Sequence, residues 1–172
     1  MVTALYTITP DQRTPQEVVA ALLQEIGRPE GAARPRPVGK ELQATLEGKA
    51  AAMSRLAQRV AQRDGPHIHQ HVALTDGAEA LPQQLLTHCP EYPLILDIIH
   101  ATESLGDTAN ILLGETHPQR TAWVRASLEA LLAGQTDAII TALEAEGHDP
   151  TRTATPRQAV RRTVGSSRRN RP

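Results

Sequence analysis

The chain has 172 residues, is 40% hydrophobic, contains no Phe, one Trp and two Tyr, and carries a net charge of −1. That length allows one domain or slightly more, with a core of Leu, Ile, Val and Ala that buries little apolar area per side chain. A single Cys89 excludes an intramolecular disulfide and a thiolate metal cluster within one chain, and no apolar stretch approaches the roughly 20 residues of a membrane span.

The N-terminus has no basic stretch followed by an apolar run, so no signal peptide is read and a cytoplasmic protein, without a membrane partner, is expected. The net charge hides an asymmetry. Residues 151–172 contain seven Arg and no acid, while the other residues hold 11 bases and 19 acids. A basic tail on an acidic body points to an anionic partner such as nucleic acid, or else to a solvated terminus.

Taken in chain order, Val2 to Ile8 is rich in β-formers and reads as a strand ended by Pro10. Thr14-Pro15-Gln16-Glu17 has the form of a capping box, with Thr14 as N-cap, Pro15 at N1 and Glu17 at N3. Val18, Val19, Leu22, Leu23 and Ile26 then recur at helical spacing up to Gly27 and Pro29. Residues 27–39 are rich in Gly, Pro and Arg and read as a linker. Leu42, Leu46, Met53, Leu56 and Val60 predict one long helix from about Lys40 to Gln62, broken by Asp64-Gly65-Pro66.

His71 to Thr75 reads as a short apolar strand ending in Asp76-Gly77. A helix from Ala78 to His88, with Pro82 inside it, leads to a second apolar strand, Leu94-Ile95-Leu96, which ends in Asp97. Strand–helix–strand over this length is a βαβ unit with parallel strands. Further helices are predicted from about Ile98 towards Leu113, from Pro118 to Gly134, from Thr136 to Gly147, and from about Thr155 to Val164. The organisation is thus a strand and helix (1–27), a linker and long helix (28–66), a βαβ unit (67–113), helices (114–150) and a basic tail (151–172), in an α/β chain that is mostly helical.

In that reading Asp76 and Asp97 each sit at the carboxyl end of a parallel strand, the edge where open α/β sheets bind ligands. Neighbouring strands lie about 4.8 Å apart, so the pair could hold a hard divalent cation. His100, three residues after Asp97, shares its helix face. The alternatives are ordinary: an Asp-Gly turn, an Asp97 helix cap and a hydrogen-bonded core histidine. His67, His69 and His71 alternate as on one strand face and could ligate Zn²⁺, or simply face solvent. Cys89 beside His88 is either a reactive thiol or an inert one.

The runs Ala73-Leu74-Thr75-Asp76-Gly77-Ala78-Glu79-Ala80-Leu81 and Leu94-Ile95-Leu96-Asp97-Ile98-Ile99-His100-Ala101-Thr102-Glu103 resemble the middle of ISKra-type bacterial insertion-sequence transposases. These are DDE enzymes with an RNase H-like fold, related to the Mutator group. The resemblance implies a partial RNase H-like core with a helical insertion, Asp76 as the second catalytic aspartate, and Asp97 and His100 as a D-x-x-H signature. It places the family's first catalytic Asp before Met1 and its catalytic Glu beyond Pro172. The family also tends to carry aromatics near positions held here by Gln43, Pro82, Ser104, Gly106, Ser166 and Ser167. In the intact parent, three carboxylates would hold Mg²⁺ or Mn²⁺ for in-line displacement at phosphorus. The implied partners are insertion-sequence DNA ends and a second copy or a full-length transposase.

Arg152, Arg157, Arg161, Arg162, Arg168 and Arg169 are the candidate DNA contacts. No aromatic residue is interleaved among them, so sequence-tolerant, salt-sensitive binding is expected. Three classes stay open: a transposase fragment without independent activity, a non-catalytic nucleic-acid-binding or regulatory protein, and a helical protein-interaction module.

Overall fold

The computed structural model describes residues 1–24, 35–76 and 81–148. Over the described residues the chain is α/β and about 54% helical. Its elements run β1 (Val2–Thr7), α1 (Pro15–Leu22), β2 (Val38–Ala44), α2 (Lys49–Arg63), β3 (Ala73–Thr75), α3 (Leu81–His88), β4 (Leu94–Leu96), α4 (Ile98–Leu113), α5 (Arg120–Leu132) and α6 (Thr136–His148). They fall into two compact units. One contains residues 1–12 and the described part of 30–95, and the other the described parts of 13–29 and 96–171.

The first unit is built on two small sheets, β1–β2 and β3–β4. β1 and β2 are antiparallel, with Val2 opposite Ala44, Ala4 opposite Leu42 and Leu5 opposite Glu41, and the register shifts between Leu5 and Thr7. β3 and β4 form the parallel pair, tied by the Ala73 amide donating to the Pro93 carbonyl at 3.0 Å. α2 packs against β1 and α3, and α3 against β3. Its buried side chains are few and small to medium: Thr3, Ala52, Met53, Thr75, Leu85 and Cys89.

The second unit is helical. α5 is central, packing against α1, α4 and α6. Val19 of α1, Leu105 and Ala109 of α4, and Val124 and Leu128 of α5 form its core, with Leu23, Ile98, Trp123 and Leu131 around it. Ile140 and Leu143 of α6 close a smaller cluster against Leu112 and Trp123. The small Ala109, fully buried, lets helix backbones approach closely where no large aromatic is available to fill space.

The capping box forms as expected. Glu17 N–H donates to Thr14 Oγ1 at 3.2 Å, and Thr14 N–H donates to Glu17 Oε2 at 2.8 Å. The two aspartate-ended strands, the helix from Ile98 to Leu113 and the two helices after it also appear, within a residue or two of their predicted bounds. The helix ends expected at Gly27–Pro29, most of the Asp76-Gly77-Ala78-Glu79-Ala80 run, and the basic helix and tail from 151 lie outside the described residues.

One expectation is corrected. The single helix from Lys40 to Gln62 is a strand, β2, followed by the shorter α2. Two physical reasons decide it. Gly48 has φ +96° and acts as the N-cap of α2, a backbone state that a helix interior does not allow. The segment before it gains a ladder of backbone hydrogen bonds with β1, which outweighs a helical pattern resting on Leu42 and Leu46. Both leucines are in fact exposed, at 65% and 103%. The strand expected from His71 begins at Ala73. Pro82 is the second residue of α3, near the end of the helix where a missing N–H costs least.

Leu128 is fully buried at the centre of the helical unit, whereas Leu42 stands in solvent. Chemical denaturation of Leu128→Ala should show a loss of about 2–5 kcal/mol, and Leu42→Ala a change within about 0.5 kcal/mol. Equal losses would contradict this placement of the core.

Candidate functional site

Asp76 directly follows β3 and is exposed. It belongs to the strand-containing unit, and Asp97 to the helical one. Asp97 is half-buried and is the N-cap of α4. Its Oδ1 accepts a hydrogen bond from the Ile99 amide at 2.9 Å, satisfying a helix N–H that has no partner within the helix. His100 lies on the first turn of α4, with Nδ1 3.9 Å from Glu103 Oε2, the histidine half-buried and the glutamate exposed. At that distance and exposure the pair contributes little.

The histidine trio is not on a strand, because residues 67–72 have no regular structure. The alternation that would have put all three imidazoles on one face is therefore absent. Of the three, His71 makes the defined contacts among the described residues. Its Nε2 lies 2.9 Å from Asp64 Oδ1, and its ring rests on Tyr92, centroids 4.7 Å apart. This hydrogen bond holds the Asp64 carboxyl below its ordinary range, against the opposing effect of burial and with further help from the Gly65 amide. Tyr92 is pushed up, chiefly by burial and then by the Asp64 charge. The cluster ties the end of α2 to the turn before β4.

A second cluster joins α2 to β2. Arg59 Nε donates to Glu41 Oε2 at 2.7 Å and Arg63 Nη2 to Glu41 Oε1 at 2.8 Å. Arg63 also donates to the Gly39 carbonyl. The two cations lower the Glu41 pKa, the Arg59 hydrogen bond most. Neither cluster was singled out from the sequence. The i, i+4 spacing of Arg59 and Arg63 on one helix face was the available signal, but their shared acceptor became visible only once β2 was a strand.

Cys89 is buried, and burial raises its thiol pKa, so it has the surroundings of an inert cysteine rather than of a nucleophile. Among the described residues no three of His, Cys, Asp and Glu are grouped to hold a metal ion, and no helix is long and apolar enough to cross a membrane. The tail arginines Arg152, Arg157, Arg161, Arg162, Arg168 and Arg169 lie outside the described residues.

If Asp97 serves α4 as a cap, Asp97→Ala should lower stability by about 1 kcal/mol, while Asp97→Asn, whose amide oxygen can still cap, should cost only a few tenths. An equal loss in both, measured by denaturation, would show that the charge matters beyond capping. For Asp64 the folded carboxyl lies below its unfolded value, so the His71 contact stabilises above the unfolded pKa and that contribution is lost as pH falls through the folded one. In His71→Ala, carboxyl titration followed by NMR should show Asp64 moving upward towards its ordinary range.

No family model, curated protein or solved structure matches this chain.

Proposed function

We propose that these 172 residues are an internal piece of an ISKra-type DDE transposase that does not cut DNA alone. The observation that carries the reading is the order of elements around two aspartates. An antiparallel pair and a helix lead to β3, which is followed at once by Asp76, and after α3 to the parallel partner β4, followed at once by Asp97. That succession is what an RNase H-like core resembling the family would contain. In this reading Asp76 is the second catalytic carboxylate, and Asp97 with His100 is the D-x-x-H signature.

The intact parent would use Mg²⁺ or Mn²⁺ to activate the attacking oxygen and stabilise the leaving one. The described residues do not fit that demand by themselves. They bring no three metal-ligating side chains together, and one oxygen of Asp97 is committed to the Ile99 amide. No chemical step is therefore assigned to this chain.

A second reading, a non-catalytic DNA-binding or regulatory protein derived from such an enzyme, is favoured by the seven arginines and absence of acids in residues 151–172. Such a protein would work in the cytoplasm, on DNA or against a full-length transposase.

Two measurements test these readings. Sequencing the DNA on both sides of the gene should reveal coding remnants of an aspartate-bearing strand upstream, a glutamate-bearing segment downstream, and inverted repeats. Their absence would remove the transposase reading. Binding of the chain to any duplex should weaken roughly a thousandfold between 50 and 200 mM salt if six tail arginines meet phosphates. Salt-independent binding would discard the tail as the contact. Metal-dependent cleavage of terminal-repeat DNA that disappears in Asp76→Ala would refute the claim of inactivity.

A further inference from the structure

The β1–β2 sheet turns its polar residues towards its helix and its apolar residues towards water. Thr3, Gln43 and Thr45 line a recess together with Ala52 and Arg55 of α2, and Glu41 accepts hydrogen bonds from Arg59 and Arg63 of the same helix. The covered face therefore holds Thr3, Leu5 and Thr7 from β1 and Glu41 and Gln43 from β2, and Leu5 is its one large apolar side chain. Val2 pairs with Ala44 and Ala4 with Leu42. Alternation along the strands then assigns Val2, Ala4, Tyr6, Leu42 and Ala44 to the opposite face.

All five of these residues are apolar or aromatic, and all five are exposed. Val2 is 69% exposed and Leu42 65%. Ile8 and Leu46, just past the strand ends, continue the apolar spacing and are also exposed. A sheet covered on one side ordinarily places its apolar residues on the covered face and its polar ones in water. This pattern is the reverse, and it is the pattern of a face that a second layer covers.

These seven side chains present on the order of 600 Å² of apolar surface, the upper limit for the largest patch of an ordinary monomer. Segments outside the described residues have little to lay over it: residues 25–34, 77–80 and 149–172 contain three large aliphatic side chains, Ile26, Val160 and Val164. Two such faces brought together come to about 1,200 Å², the lower bound of a standard specific interface. None of the seven residues carries a charge, so the face meets its own copy without like-charge repulsion.

We propose that this face packs on the same face of a second copy of the chain, stacking two β1–β2 sheets across a two-fold axis into a four-stranded sandwich. Stacked sheets lie about 10 Å apart and touch through side chains. No backbone ladder joins the copies, so the register shift between Leu5 and Thr7, which discourages edge-to-edge pairing, does not oppose it. The proposal makes no use of DNA, metal or Asp76. It can fail without affecting the reading above, and the reverse.

The test uses the full chain without DNA, followed by sedimentation velocity from about 1 to 300 μM, the range for an interface of this modest size. A reversible monomer–dimer equilibrium is expected. In methyl NMR, the Val2, Leu42 and Leu46 signals should move with concentration at the midpoint given by sedimentation, while Ile99 and Leu132, exposed in the helical unit, stay fixed. Leu42→Glu should raise the dimer Kd at least tenfold, and Ile99→Glu should leave it unchanged. If Leu42→Glu does not fold, Leu46→Glu, placed beyond the strand, gives the same comparison. Dilute monomer remains the state in which Leu42→Ala is nearly neutral for folding. A chain that stays monomeric throughout, an open series of larger oligomers, or a dimer that Ile99→Glu weakens and Leu42→Glu and Leu46→Glu do not would each overturn the proposal.

Discussion

With no phenylalanine and one tryptophan, every core in this chain must be closed by aliphatic side chains, and that constraint shapes both units. Small residues can be buried completely only where backbones come close. Helices achieve this more readily than short strands, since Ala and Leu are good helix formers and side chains three and four apart form a continuous face. The helical unit accordingly reaches full burial at Val19, Ala109 and Leu128. The tryptophan is spent at the junction of its two clusters, where Trp123 packs against both.

The strand-containing unit meets the same constraint less well. Its strands leave Val2, Leu42, Leu74 and Ile95 exposed, and its buried set includes two threonines and a cysteine. Polar contacts at the periphery do part of the positioning instead. Glu41 receives Arg59 and Arg63 from α2, and Arg55 reaches Glu47 at 2.6 Å. Exposed pairs of this kind contribute little singly. Here, however, three arginines from one helix meet two acceptors, Glu41 within β2 and Glu47 just after it, with Arg63 also held by the Gly39 carbonyl. The result fixes the register of β2 along α2 more than it adds stability.

Much of this was legible in the sequence where the signal was local. The Thr14–Glu17 box, the stop at Gly134 and the two aspartate-ended apolar triplets depend on neighbours a few residues away, and they appear in the structure. β2 was not legible because its decisive interaction is with β1, more than thirty residues earlier in the chain. Leu42, Leu46 and Met53 happen to fit a helical period that tertiary pairing overrides. The histidine trio failed for a related reason: alternation of residue type has structural meaning only if the backbone is extended, and between Pro66 and Val72 it is irregular. Among the site residues, the position of Asp97 at a strand–helix junction could be read in advance. The partners of His71 could not, since Asp64 and Tyr92 reach it from either side in the sequence through irregular backbone that no local pattern specifies.

Asp97 shows how far a motif can be explained without invoking function. A carboxylate at the first turn of a helix satisfies an amide that would otherwise lack a partner, and a histidine three residues on falls on the same face as a matter of helical geometry. The D-x-x-H pattern therefore has a sufficient structural cause in α4 itself. Capping uses only part of a carboxylate's acceptor capacity, so the structural role leaves a second role available without implying one.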